Sequence, residues 1–124
     1  MRGFPSQLTR FQFGKVYSDG GQQLVDLKGM AGQTPTQVYR PETHGLSTHP
    51  VAGAQGALLA LGGRQDQLLA LGGECSELRG QHQAALGETI LYNSHGEAIS
   101  LIKRQVRMVG QDMQVTIAGT ANFD

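Results

Sequence analysis

The chain has 124 residues with 10 basic and 10 acidic side chains, 18 Gly, a single Cys and no Trp. That length suits one compact domain, or a small domain with an extension. Zero formal charge excludes a phosphate-backbone footprint, and one Cys excludes an intrachain disulfide framework or a Cys-based zinc site. Gly at about twice its usual share argues against a helical bundle. The longest apolar run, Ala57 to Leu61, is far short of the roughly 20 residues that span a bilayer. The opening MRGFPSQLTR lacks an apolar signal-peptide core, so a protein without an export signal is expected.

Gly clusters recur every ten or so residues, and the stretches between them predict strands, hence an all-β fold. Leu8 to Tyr17 alternates and is rich in aromatics, Ser18 to Gly21 predicts a turn, and Gln22 to Lys28 returns to make a first hairpin. Residues 29–50 are polar with three Pro, which predicts a long surface connection in which only Thr36 to Tyr39 forms a short strand. GALLALGG at 56–63 and LLALGGE at 68–74 are a near-repeat joined by Arg64-Gln65-Asp66-Gln67. This predicts a tight antiparallel hairpin buried on both faces, with Leu58, Leu59, Leu61, Leu68, Leu69 and Leu71 as the barrel core and Gly62-Gly63 and Gly72-Gly73 as turns. Cys75 to Leu86 is left for a short helix or a loop, with Ser76 as its cap.

From Gly87 the pattern sharpens: GETILY, the turn Asn93 to Gly96 and EAISLIK predict a third hairpin with apolar residues on both faces. Val106 and Met108 then share one side, Gly110-Gln111 turn, and Met113, Val115 and Ile117 alternate with Asp112, Gln114 and Thr116. A lone two-stranded hairpin is marginal in water, so other chains must cover this face. Burying those five side chains contributes on the order of 10 kcal/mol per chain as an upper bound. An obligate homo-oligomer joined through its C-terminal strands is the expectation.

Chemistry is sparse. No two of His44, His49, His82 and His95 lie at a spacing that sets ligands on a common strand or helix face. The carboxylates are scattered over turns and strand starts, and Cys75 has no adjacent basic helper. Gly-Gly pairs without the Lys and Ser/Thr of a phosphate loop read as turns. The expectation is therefore no enzyme, no metal and no cofactor. Lys103, Arg104 and Arg107 are the one basic cluster, with Arg107 on the wet side of its strand.

The run His44-Gly45-Leu46-Ser47-Thr48-His49-Pro50, then Gly53-Ala54, then an apolar strand ending in Gly62-Gly63 before Arg64-Gln65-Asp66-Gln67, resembles the bacteriophage Mu tail spike family, baseplate assembly protein V. Gly87-Glu88-Thr89-Ile90-Leu91-Tyr92, a turn, Gly96 and Ile99 to Lys103 are similar to the junction where an oligonucleotide/oligosaccharide-binding (OB) type barrel passes into a β-helix in such spikes. The resemblance covers roughly residues 10–118. It implies a small OB-like antiparallel barrel with its N-terminal segment over 1–86, then over 87–124 a hairpin and the start of a short intertwined trimeric β-helix or prism. It also implies a homotrimeric central spike in the virion, at the tail baseplate, attached to a hub protein and directed at the host outer membrane. Val106, Met108, Met113, Val115 and Ile117 would line the trimer interface, and His44, His49 and Pro50 would face the hub. Spikes of this family close in a tip where His-x-His from three chains holds a metal. No His follows His95, so no residue inherits that role; either the spike is short and blunt, or a separate spike-tip protein caps the trimer, or the 124 residues are part of a longer gene product.

The alternative is an OB-fold module for single-stranded nucleic acid or oligosaccharide, which needs aromatics interleaved with cations on one barrel face. Phe11, Phe13 and Tyr17 share alternate positions with only Lys15 among them, and Tyr39 is the one further candidate, so packing into the core is the plainer expectation and nucleic acid is not an expected partner.

Overall fold

The computed structural model describes residues 7–18, 20–29, 34–60 and 68–124. Among the described residues, eight strands and one short helix fall into two compact units, the first ending at Gly80 and the second beginning at Gln81, so that residues 81–86 group with the second. The first unit holds β1 (Gln7–Tyr17), β2 (Leu24–Gly29), β3 (Val38–Tyr39), β4 (Gln55–Ala60), β5 (Leu68–Glu74) and α1 (Ser76–Gly80). The second holds β6 (Thr89–Tyr92), β7 (Ala98–Ile102) and β8 (Gln105–Val109).

The first five strands form a closed barrel in the order β1-β2-β3-β5-β4. Its neighbours are antiparallel except β3 and β5, which meet in parallel at Tyr39 and Leu69. Strand β1 serves two ladders: Gln7 to Gln12 pairs with β4, and Phe11 to Tyr17 pairs with β2. An irregularity between Phe13 and Val16 bends it so that one strand can turn a barrel corner. Beyond β4 the wall is continued by the Phe13 amide donating to the Ala54 carbonyl at 2.7 Å and the Gly53 amide donating to the Phe13 carbonyl at 2.8 Å.

The core is built at every second position of these strands: Phe11 and Phe13, Val25 and Leu27, Val38, Ala54, Leu58 and Ala70 are all buried. The Leu-rich hairpin contributes less than its composition suggests. Leu58 is buried, Leu59, Leu68 and Leu69 are half-buried, Leu71 is 40% exposed, and Leu61 lies outside the described residues. The expectation of a hairpin buried on both faces is corrected for a simple reason. A small closed barrel has one interior, so only alternate side chains of β4 and β5 enter it, and the interior is occupied first by two Phe rings from β1.

Gly72 and Gly73 are not a turn. They are consecutive positive-φ residues inside β5, at 99° and 123°, where the pairing passes from Gly56 opposite Gly72 to Gln55 opposite Glu74. One residue is extra on the β5 side, a glycine bulge that bends the strand. At the helix, the Arg79 amide donates to the Cys75 carbonyl at 2.9 Å, so Cys75 takes the cap position expected of Ser76.

The second unit is a meander, β6-β7-β8, with Leu91, Ile99 and Met108 directly abreast, and Thr89, Leu101 and Val106 abreast in the next row of the same face. The strand expected over Met113 to Ile117 does not form: residues 112–117 carry no ladder. Their period-2 pattern is that of a strand, but a ladder needs a partner strand, and among the described residues this one finds none.

Candidate assembly surfaces

In the first unit, the connection from β3 to β4 is pinned onto the β5 bulge by one guanidinium. Arg40 Nε donates to the Gly72 carbonyl at 2.7 Å, and Nη1 donates to Gln23 Oε1 at 2.7 Å, Glu42 Oε1 at 2.9 Å and Thr48 Oγ1 at 3.3 Å. Glu42 in turn accepts the Thr48 amide at 3.0 Å and the Thr48 hydroxyl. The Arg40 and Glu42 side chains are only 12% and 19% exposed, which lets this ion pair act at reduced dielectric. Burial works to push the Glu42 carboxyl up. The hydrogen bonds from Thr48 and Arg40 outweigh it and hold the carboxyl below the usual carboxylate range.

The network extends outward. Gln23 Nε2 donates to the Thr48 carbonyl at 2.6 Å and to the Ser18 hydroxyl at 2.8 Å, and Ser18 Oγ lies 3.2 Å from His49 Nδ1. Pro50 packs on the bulge: a Cβ at Gly73 would sit 2.9 Å from Pro50 Cγ. His44, His49 and the 51%-exposed Leu46 are thus presented to solvent on a loop whose backbone is held at both ends. Sequence reasoning singled out His44, His49 and Pro50 but missed Arg40 and Glu42, which are what hold them. Arg-Pro-Glu in a polar loop carries no periodic signal, and only the Gly72 carbonyl, 32 positions away, reveals the purpose of Arg40.

On the barrel wall, Tyr17 donates to Asp26 Oδ2 at 2.9 Å, and that bond raises the Tyr17 pKa above its ordinary value, with burial and the Asp26 charge adding to it. Lys15 Nζ stands 4.7 Å from the centre of the same ring. Phe11 and Phe13 point into the core at 4% and 1% exposure, so they are lost as a stacking platform.

In the second unit the two sheet faces differ. On one, Ile90, Tyr92, Ser100 and Ile102 are half-buried and Ala98 is buried, and the His82 ring stacks on Tyr92 with centroids 4.7 Å apart. On the other, Leu91, Ile99, Leu101, Val106 and Met108 are 57%, 41%, 52%, 63% and 58% exposed. Met113, Val115 and Ile117 continue the exposed apolar series at 69%, 62% and 49%. Leu91, Ile99, Met108 and Met113 also line an open cleft of about 460 Å³. Val106, Met108, Met113, Val115 and Ile117 were expected at an interface; Leu91, Ile99 and Leu101 join the first two on the open face, a contribution legible only once the register of β6 and β7 is known. Contiguous exposed apolar faces of this kind are characteristic of interaction surfaces, ligand-binding grooves or aggregation-prone patches. Among the described residues no three His, Cys, Asp or Glu side chains gather into a metal-binding group.

A closed five-stranded barrel and a separate three-stranded sheet with one exposed apolar face define an almost entirely β-structured protein. Residues 10–76, more than half of the chain, match the family described as Bacteriophage Mu Gp45, N-terminal. The chain belongs to that family, a family of phage tail and baseplate structural proteins. No curated protein and no solved structure matches it.

Proposed function

We propose that the protein is the homotrimeric central spike of a contractile phage tail, built into the virion at the baseplate. In this reading the barrel is OB-like and attaches to the hub through the side bearing His44, His49 and Pro50. The C-terminal part, from about residue 87, begins an intertwined trimeric β-helix aimed at the host envelope, where the outer membrane is met transiently. Its work is mechanical: force from sheath contraction passes through a stiff β-structure, and no bond is made or broken. The observation that carries the reading is the bare face of Leu91, Ile99, Leu101, Val106 and Met108, joined by an unpaired segment, 112–117, that has strand periodicity. The family match supports the phage tail setting.

The test is the solution mass by light scattering coupled to size exclusion at several concentrations. A stable mass of three chains supports the spike, and a single-chain mass at micromolar concentration sinks it. The alternative binding module loses its main support with Phe11 and Phe13 in the core, and absence of salt-dependent oligonucleotide binding removes it.

A further inference from the structure

The sheet of the second unit carries opposite charge at its two ends. At one end, β7 turns into β8 through Lys103 and Arg104, both exposed. At the other, Glu97 precedes β7 and Asp112 follows β8; a Cβ at Gly110 would lie 3.6 Å from the Asp112 carbonyl oxygen and 3.6 Å from Glu97 Cγ, so both acidic residues sit at one corner. Five-residue strands separate the two ends by about 16 Å. Glu88 shares the basic end but accepts the Ala85 amide at 2.9 Å, which leaves the tip cationic by two against one. Arg107 sits mid-strand, opposite Ser100, away from both corners.

The cations are held at a backbone cost. Lys103 and Arg104 have φ of 39° and 68°, and with Gln37 they are the non-Gly residues of positive φ among those described. A two-residue hairpin turn of this shape suits Asn-Gly, and side-chain-bearing residues there are strained. Strain retained at a charged tip is a reason to look for what the charge contacts.

A cyclic trimer joins two different patches of each copy, one to the other of the next. Strands lying along the ring axis would set three cationic tips at one height, like against like. Strands lying across the axis bring each cationic tip to the next copy's acidic corner, with the apolar face turned inward. We propose that Lys103 and Arg104 of one copy form ion pairs with Glu97 and Asp112 of the next. This rests on the homotrimer of the preceding reading and fixes its register.

The experiment is charge reversal with rescue on the full chain, read as mass against concentration by light scattering in low salt. K103E with R104E, and separately E97K with D112K, are expected to weaken trimer association about tenfold or more, with the defect of each shrinking as salt rises. The variant carrying all four reversals is expected to regain the three-chain mass. Where a double reversal alters the far-UV circular dichroism of the sheet, Arg104→Glu with Asp112→Lys, both at exposed loop positions, carries the same rescue test. A wild-type trimer indifferent to either reversal, or a fourfold variant that stays dissociated, overturns the pairing while leaving the spike reading intact. A wild-type mass of one or two chains overturns both.

Discussion

The Phe13 ring occupies the space that a side chain at Gly56 would need: a Cβ there would stand 2.5 Å from Phe13 Cε1 and 2.7 Å from Cζ, with the Leu71 carbonyl also in the way. The barrel interior is narrow at this level, and a fully buried Phe ring is accommodated by the absence of a side chain on the neighbouring strand.

Gly56→Ala is therefore expected to destabilise the barrel by about 1–3 kcal/mol in urea unfolding. Phe13→Leu in the same chain should return part of that loss, since it clears the ring but not the Leu71 carbonyl. Additive losses in the double mutant cycle would show that the two positions do not share this space.

Removing the Arg40 side chain leaves the Glu42 carboxylate partly buried without its cation and frees the loop from the Gly72 carbonyl. Arg40→Ala should cost about 1–3 kcal/mol and raise amide exchange at Thr48, whose N–H donates to Glu42. Unchanged exchange at Thr48 would mean that the loop is held by other means.

Because the Glu42 carboxyl titrates lower folded than unfolded, it adds stability above the ordinary carboxylate range, and that contribution is lost as pH falls through its lowered value. The acid limb of the stability curve should flatten in Glu42→Gln. An identical acid limb in the two proteins would contradict the assignment.

Tyr17 follows the opposite sign. Its hydrogen bond to Asp26 raises its pKa, so its contribution is present below about pH 10 and is lost as pH rises through the raised value. Absorbance titration should place one tyrosine above the ordinary range, and Asp26→Asn should bring it down.

On the second unit, Ile99→Glu puts a charge in the middle of the bare face. It should leave the barrel's thermal unfolding in place while reducing the solution mass to one chain. Retention of the three-chain mass would show that this face is not the seam.

The strand pattern was legible because alternation is a local property. Phe11 and Phe13, the turn Asn93 to Gly96, and the return through Ile99 and Leu101 all follow from period 2 and turn chemistry. The family resemblance was legible in the 44–67 run and is met by the match over 10–76. What was not legible depends on contacts far apart in sequence. Leu71 reads as core by hydropathy, yet it is exposed because the Phe rings of β1 already occupy the interior. Gly72-Gly73 reads as a turn by composition, yet it is a bulge because Gly56 stands opposite. Arg40 gave no sign at all until the Gly72 carbonyl came within reach.

The uneven reach of the two ladder sets bears on how the chain comes together in time. Strands β1 and β4 pair residues about fifty positions apart, whereas the meander of β6, β7 and β8 joins nearest neighbours through short turns. Hairpins of the latter kind form in microseconds, long before a barrel that must close a large loop. The bare apolar face is thus on display while the rest of the molecule is still searching. The newly made chain carries its greatest aggregation hazard early, and in the proposed trimer rapid encounter with its own copies would retire that hazard.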